Sequence, residues 1–303
     1  MSLPAVTAQE QVQGQPVQPS HIPSQADNDM QAINLWLHGK SKRTVTAYKK
    51  QVGHFLDWIQ NKPLRFVTLG DLQAYQDHLA ESGFKETTQN AYIMTVKSLF
   101  TFTQKIGYTQ FNPAAAIQGQ KVKNELAQRI LTEAEVQAMI HLEGNTRNKI
   151  LLRFLYATGA RASEVAGLKL KDFSECEGGA TVTLFGKGGK TRHVMLPETV
   201  WTAIKDLHGH EIWPDKPAFV SRNKQGSLSA AMIWRIVKAA AKRAGVQKDV
   251  SPHFMRHSCA SHSLDRGAPI HVVQSTLGHA NLATTGRYTH VKPKESAGMW
   301  LAL

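Results

Sequence analysis

The sequence predicts a mostly helical protein with a small antiparallel β-sheet, divided into two domains. Apolar side chains recur at three- and four-residue spacing through much of the chain, which indicates amphipathic helices. One glycine-containing turn is flanked by two short alternating segments, which indicates a β-hairpin. A polar stretch at residues 118–128 separates two regions that are each apolar enough to form a core. We therefore expect a helical domain, a linker, and a second domain that combines helices with the sheet.

The balance of charge points to a polyanionic partner. The 303 residues include 36 Lys+Arg against 23 Asp+Glu, a net charge of +13, and no Lys or Arg precedes Lys40. The excess positive charge therefore lies in the folded part, where nucleic acid is the leading candidate partner. A generally basic, soluble surface is the alternative interpretation.

The sequence has no mark of export or of membrane insertion. Cys176 and Cys259 are far apart, as in a reduced protein without a disulfide framework. No apolar stretch approaches the roughly 20 residues needed to span a bilayer. The first residues also lack the pattern of a signal peptide. We expect a cytoplasmic protein that works beside the DNA.

The first domain is predicted to be helical and to follow a disordered tail. Residues 1–29 are rich in Gln, Pro, Ser and Ala and have few large apolar groups, so we expect them to be disordered. Within residues 30–117, Thr68 and Asp71 predict a capping box that starts a helix at Leu69. Further helical faces, whose aromatic side chains we assign to the core, comprise Val45, Tyr48, Val52, Phe55, Ile59, Tyr92, Val96, Leu99, Phe100 and Ile106.

Basic residues cluster at the start of the first long helical pattern. We expect them to contact DNA phosphates, with a merely solvated helix face as the alternative. The cluster comprises Lys40, Lys42, Arg43, Lys49 and Lys50. Lys121 and Lys123 lie in the predicted linker and could rest on the same DNA backbone.

The second domain is predicted to occupy residues 129–303 and to open with a capped helix. Thr132 and Glu135 form a second capping-box pattern, and helices follow to about Gly167. Residues 181–185 and 193–196 alternate on either side of the glycine-containing turn, as the two strands of a hairpin do. The helical pattern resumes at about Leu228.

Polar residues of the second domain indicate chemistry on a phosphate. Arg161 and Arg256 can bind phosphate oxygens, because guanidinium presents a planar fork of donors and stays charged. Lys187 lies between glycines in the predicted turn, where it could give a proton to a leaving alkoxide; a solvated turn lysine is the alternative. The turn lacks the spacing of a nucleotide-binding P-loop.

A second group of residues supplies proton acceptors and a nucleophile. His253 and Arg256 are three residues apart on a predicted helix, so they share a face, and Ser251 with Pro252 predicts the start of that helix. His279 could add a donor to the same phosphate. Tyr288 could attack the phosphorus, provided that neighbouring cations lower the cost of ionising a phenol whose ordinary pKa is about 10.

A zinc site is the alternative interpretation of the histidines. His253, His257, Cys259 and His262 lie along one short helix, where four ligands cannot all face one ion. We therefore expect no metal and no cofactor, and we assign His257 and His262 to packing or capping.

In this order, the residues resemble the tyrosine recombinase family, of the phage-integrase and Xer type. The resemblance covers the chain from about residue 30 to its end and implies a SAM-like, core-binding helical domain at residues 30–117 and an α+β catalytic domain at 129–303. Val165, where leucine is commoner, and Arg287 are mild departures from the family pattern. The family's catalytic residues map onto Arg161, Lys187, His253, Arg256, His279 and Tyr288.

The resemblance also implies a role for each residue. Arg161 and Arg256 would bind the phosphate with His279, and Lys187 would be the general acid on the 5′ oxygen. His253 would accept or donate a proton, and Tyr288 would be the nucleophile. Glu164 matches an acidic residue that braces the site in the family.

The function implied is site-specific recombination of double-stranded DNA through a 3′-phosphotyrosyl intermediate. The family resemblance further implies inverted-repeat core sites and a tetramer assembled on DNA, with a second recombinase or an accessory protein as a further partner. We expect the apolar end of the chain to dock on a neighbouring subunit; it comprises Met299, Trp300, Leu301 and Leu303. Two alternatives are a type IB topoisomerase, which acts on one duplex as a monomer, and a catalytically silent DNA-binding protein.

Overall fold

A computed structural model describes residues 25–119, 126–186, 189–209, 213–221 and 226–278. The predicted tail up to residue 24 and the apolar end of the chain lie outside these residues. So do five of the predicted functional residues, namely Lys121, Lys123, Lys187, His279 and Tyr288. The chain divides into two compact units, Met1–Lys123 and Asn124–Leu303.

The first unit contains four α-helices among its described residues, 25–119. They are α1 (Asp29–Leu37), α2 (Lys42–Trp58), α3 (Leu69–Glu81) and α4 (Glu86–Lys105), with a short 3₁₀ helix at Leu64–Phe66. The folded region begins ahead of the predicted boundary at residue 30, because Ala26 is buried and Asn28 caps α1. The buried Ala26 side chain and the capping bond of Asn28 both hold this short segment against the helices that follow.

The core of the first unit is aromatic, as the helical pattern predicts. Phe55, Tyr75 and Phe100 are fully buried, and Phe55 packs edge-to-face against both of the other rings. The predicted capping box is present: Thr68 accepts from the Asp71 N–H, and the Asp71 carboxylate accepts from the Thr68 N–H. The prediction that α3 begins at Leu69 is therefore confirmed.

The second unit contains seven α-helices and a three-stranded antiparallel sheet within the described residues. The helices are α5 (Glu133–His141), α6 (Thr146–Thr158), α7 (Ala162–Ala166), α8 (Glu198–His208), α9 (Ala230–Arg243), α10 (Pro252–Asp265) and α11 (Ile270–Leu277). The strands are β1 (Phe173–Cys176), β2 (Gly179–Phe185) and β3 (Thr191–Pro197), in the order β1-β2-β3. Short 3₁₀ helices lie at Ala127–Arg129 and Leu170–Asp172.

The sheet covers a helical core with one of its faces. Val182 of β2 pairs with Val194 of β3, and both are buried with Leu184 and Leu196. Alternate residues such as Thr183 and His193 face outward, which is the period expected of a sheet with one buried face. The buried face packs with α6, whose Leu151, Phe154 and Leu155 are fully buried in the same core.

The predicted elements of the second unit are found, and two others were missed. The Thr132–Glu135 capping box starts α5, and the hairpin is β2 and β3. The two elements that were not predicted are β1, whose residues after Phe173 are exposed, and α8. Ser251 does occupy the position before α10, with Pro252 first in the helix, but the Ser251 side chain makes no capping bond.

Among the described residues, no helix is both long enough and apolar enough to cross a membrane.

Candidate active site

Arg161 is placed by a tight turn between α6 and α7. Gly159 ends α6 in the left-handed region, at a φ of 57°, and Arg161 stands immediately before the first residue of α7. A Cβ at Gly159 would come within 2.5 Å of Leu277 Cδ2, so the turn requires glycine both for its backbone and for its space. The Arg161 side chain is 36% exposed, so a ligand can reach it.

Glu164 holds Arg161 from inside the protein. Its side chain is only 1% exposed; Oε2 accepts from the Arg161 N–H at 2.8 Å, and Oε1 accepts from Arg161 Nη1 at 2.7 Å. Burial by itself raises the pKa of Glu164, but hydrogen bonds from Arg192 and Arg161 outweigh burial and lower it to about 2. The carboxylate is therefore fully charged and locks the start of α7.

Arg192 is a site residue that the sequence analysis missed. Its Nη1 and Nη2 each donate to a different oxygen of Glu164 at 2.8 Å, and its Nε donates to the Thr276 carbonyl at 2.7 Å. The side chain is 10% exposed. A signal was present in the sequence: Arg192 shares the inward period of β3 with Val194 and Leu196, and a charge at such a position needs a partner.

Arg256 lies deep in the second unit, on α10. The residue is 4% exposed, and its Nη1 donates to the Gly159 carbonyl at 2.7 Å while its Nη2 donates to the Leu277 carbonyl at 2.5 Å. The first of these bonds ties Arg256 to the turn that carries Arg161. The structure thus brings together the two arginines predicted from the sequence.

The end of α11 depends on these same arginines. A helix leaves its last four carbonyls without partners inside the helix. Here the Gly278 N–H contacts two of them, those of Gln274 and Ser275, while Arg192 and Arg256 bind those of Thr276 and Leu277. Two cations at a helix C-terminus also complement its dipole. The chain that leads to His279 therefore leaves from a fixed point.

His253 lies one turn before Arg256 on α10, at the surface of the second unit and partly buried by its neighbours. Its pKa is lowered from 6.5 first by partial burial, and then by the positive charges of Arg256, Arg161 and Arg129. The electrostatic effect of Arg161 indicates that the histidine and both predicted arginines share one site. Arg129 is a further basic neighbour that the sequence analysis did not identify.

The hairpin turn that carries Lys187 starts beside Glu164. The Gly186 N–H donates to the Lys190 carbonyl at 2.7 Å, which closes the turn. A Cβ added to Gly186 would lie 3.6 Å from Glu164 Oε1. Lys187 itself is outside the described residues, but the residue before it lies against the carboxylate that holds Arg161.

Tyr156 and His262 form a separate, structural pair. Tyr156 Oη hydrogen-bonds His262 Nδ1 at 2.8 Å, and burial raises the pKa of Tyr156 to about 12. His262 is buried and packs edge-on to that ring, as expected for a packing residue. In the part of the chain that the structure describes, no group of His, Cys, Asp and Glu side chains could hold a metal ion.

The predicted DNA-contacting residues of the first unit lie just before α2 and along its first half. Lys42, Arg43, Lys49 and Lys50 are exposed. Lys40 is less so, because its Nζ lies over the stacked rings of Trp36 and Tyr48, 5.4 and 5.6 Å from their centroids. The four exposed cations are available to a polyanion, whereas Lys40 also stabilises the end of α1.

Comparison with known proteins agrees with this fold. Residues 129–295 match the phage integrase family, and residues 29–110 match the N-terminal SAM-like domain of phage integrases. The tyrosine recombinase XerD of Shewanella oneidensis is 33% identical over 275 residues, which cover 85% of this chain and 89% of that protein. The chain therefore belongs to the phage integrase family of tyrosine recombinases.

Solved structures of more distant proteins share the fold. XerH recombinase bound to a palindromic difH substrate has a TM-score of 0.67 at 24% identity, over 82% of this chain and 76% of that one. A lambda integrase tetramer bound to a Holliday junction has a TM-score of 0.70 at 16% identity, over 91% and 81%. With the family established, the chain is a site-specific recombinase, an enzyme that cleaves and rejoins DNA.

Proposed function

We propose that this recombinase cleaves DNA by attack of Tyr288 Oη on a phosphate held by Arg161 and Arg256. The Oη–P bond forms as the P–O5′ bond breaks, which leaves a 3′-phosphotyrosyl link and a free 5′ end. His253 takes the phenolic proton, and Lys187 gives a proton to the departing 5′ oxygen. The 5′-hydroxyl of a partner strand then reverses these steps, and His279 adds a donor to the phosphate.

The observation that carries this proposal is the convergence of Arg161, Arg256 and His253. Arg256 binds the carbonyl of Gly159, two residues before Arg161, and the pKa of His253 is affected by both arginines. Negative charge grows on the nonbridging oxygens during phosphoryl transfer, so fixed cations favour the transition state over the ground state. Because these cations are hydrogen-bonded to the backbone or to Glu164, they need little reorganisation as the reaction proceeds.

The lowered pKa of His253 favours the role of proton acceptor. A histidine whose pKa lies below 6.5 is mostly neutral at pH 7, and only the neutral ring can take the proton of Tyr288. Lys187 is the better proton donor, since a lysine is protonated at that pH. The two proton transfers are thus assigned to residues on different elements, α10 and the hairpin turn.

The substrate that we propose is double-stranded DNA with inverted-repeat core sites. We assign the helical part at residues 30–117 to core-site binding, residues 118–128 to a linker, and residues 129–303 to catalysis. The exposed cations of α2, together with Lys121 and Lys123, would contact phosphates on either side of the cleavage site. A cytoplasmic location is part of this proposal, because the enzyme needs access to the DNA.

The enzyme would act as a tetramer, with the apolar end of each chain docked on its neighbour. Deleting the residues after Lys294 should leave binding to a single site nearly unchanged and greatly reduce recombination. Gel-shift stoichiometry measured beside recombination yield tests this. Normal recombination by the truncated chain would rule out the docking role.

Covalent trapping tests the nucleophile. A nicked DNA substrate loses the short strand after cleavage, so the protein–DNA adduct accumulates and is seen on a denaturing gel. Tyr288→Phe should bind the same DNA and form no adduct, because only the attacking oxygen is removed. The matched control is Tyr156→Phe, which should form the adduct, since Tyr156 is bonded to His262 and its pKa is raised. An adduct with Tyr288→Phe would move the nucleophile elsewhere.

A further inference from the structure

The contacts of Arg192 join three elements of the second unit. The residue itself lies on β3, its Nη1 and Nη2 bind Glu164 at the start of α7, and its Nε binds Thr276 near the end of α11. All three nitrogens of the guanidinium are engaged at distances of 2.7–2.8 Å. The side chain therefore fixes the relative positions of β3, α7 and α11.

This arrangement is specific for arginine. The three bonds use the planar fork of donors, two parallel bonds toward a carboxylate and a third toward a carbonyl. A lysine at the same position would keep the positive charge beside Glu164. Its single ammonium group could not hold both carboxylate oxygens and the Thr276 carbonyl in the same geometry. Arg192→Lys therefore keeps the positive charge beside Glu164 and removes only the geometry of the three hydrogen bonds.

The position of Arg192 relates this network to the hairpin turn. Arg192 is the second residue of β3, directly after the turn that Gly186 and Lys190 close. At the other end of the turn, Gly186 lies against Glu164 Oε1, the oxygen that binds Arg192 Nη1 and Arg161 Nη1. Both ends of the turn thus lie against the buried carboxylate of Glu164, which also binds Arg161.

We propose that Arg192 is a positioning residue for the general acid: with Glu164, the carboxylate that binds Arg161, it fixes the two described ends of the turn that carries Lys187. This rests on the proposed roles of Lys187 and Tyr288. When the P–O5′ bond breaks, the electron pair goes to O5′ and the proton of Lys187 Nζ follows it, giving a 5′-hydroxyl. A turn that is displaced by a fraction of an ångström delivers that proton less efficiently.

The test is a change of leaving group. In a nicked DNA whose scissile O5′ is replaced by sulfur, the departing group is a thiolate, which is stable without a proton because thiols have a pKa of about 8.5. Arg192→Lys should cleave the ordinary substrate at least about tenfold more slowly than the unaltered enzyme. It should cleave the sulfur substrate within about threefold of the unaltered rate, as Lys187→Ala should. Rates are measured under single-turnover conditions with DNA in excess of its Kd.

Two further variants control for stability and for folding. Arg243→Lys makes the same chemical change in an ion pair with Glu143, whose side chain is 6% exposed, and should cleave both substrates normally. Gly186→Ala leaves every Arg192 bond in place but puts a Cβ 3.1 Å from the Lys190 carbonyl and 3.6 Å from Glu164 Oε1. It should be slow on the oxygen substrate and restored on the sulfur substrate, and equal losses on the two substrates would overturn the proposal that the position of this turn controls proton donation.

The outcomes separate this proposal from the one on which it rests. Unaltered rates for folded Arg192→Lys, or equal losses on oxygen and sulfur, would overturn the positioning role. If the cleavage rate of Lys187→Ala is not restored on the sulfur substrate, Lys187 is not the general acid. Both proposals would then fail at the protonation of the leaving 5′ oxygen. Absence of any adduct in the unaltered chain would instead refute the nucleophilic mechanism itself.

Discussion

Neutralising Glu164 should destabilise the second unit by a predictable amount. In Glu164→Gln, the side chains of Arg192 and Arg161 lose their charged acceptor while keeping a partner of the same shape. Because the pKa of Glu164 is lowered from 4.5 to about 2 and the carboxylate is 1% exposed, the charged form contributes about 3 kcal/mol to stability at pH 7. This agrees with the range of about 3–5 kcal/mol for breaking a buried ion pair.

The assay is differential scanning calorimetry of the full chain. For a domain of about 150–250 residues, each kcal/mol shifts Tm by about 2–4 °C, so Glu164→Gln should lower Tm by roughly 6–12 °C. Thr68→Ala, which removes the capping box of α3, identifies the transition of the first unit. Glu175→Gln is the matched control, because its carboxylate is 62% exposed in its pair with Lys205, and its Tm should change little.

The effect should also depend on pH in a defined direction. A carboxyl group whose pKa is lowered by folding stabilises the protein above its unfolded pKa, here about 4.5, and loses that effect as pH falls toward 2. At pH 3.5, about 2 of the 3 kcal/mol should remain, so the Tm difference between the unaltered chain and Glu164→Gln narrows by about a third. A Tm shift under about 2 °C at pH 7, or a constant difference down to pH 3.5, would refute this reasoning.

Three other predictions follow from single residues. Gly159→Ala should destabilise the fold by about 1–3 kcal/mol, because its Cβ would lie 2.5 Å from Leu277 Cδ2 at a φ of 57°. Gly53→Ala, with open space around it in α2, should be neutral or stabilising in the same melting experiment. Partial burial and nearby cations lower the pKa of His253, so the cleavage rate should fall only below pH 6.5. His253→Gln should lack this decline. If the variant keeps the decline, another group causes it. Lys42→Ala should reduce the slope of log affinity against log salt by about 0.9 if this exposed lysine contacts one phosphate, and an unchanged slope would remove it from the interface.

Local signals account for the parts of the fold that the sequence predicted. The capping boxes at Thr68 and Thr132 were predictable because a side chain and a backbone N–H three residues away decide them. The hairpin was predictable because its alternation and its glycines are adjacent in the chain. By contrast, β1 has four residues of which only Phe173 is buried, and it is a strand only because β2 lies beside it.

In the candidate site, too, some features could be predicted from the sequence and others could not. The choice of Arg161, His253 and Arg256 depended on residue type and order, which the sequence displays. The partners that hold them, such as the Gly159 carbonyl for Arg256, are set by tertiary packing that no local pattern reports. Ser251 illustrates the opposite limit: it has the right type and position for a cap, yet its side chain makes no such bond.

The buried tyrosines have a consequence for spectroscopy and labelling. Burial raises the pKa of Tyr75, and burial with a hydrogen bond to Asp29 raises that of Tyr108 to about 12, as burial does for Tyr156. These three of the six tyrosines stay protonated where reagents that need a phenolate are normally used. An ultraviolet ionisation signal or a labelled peptide obtained under milder alkaline conditions therefore does not come from Tyr75, Tyr108 or Tyr156. Peptides that contain these three residues serve as an internal blank when labelling is compared with and without bound DNA.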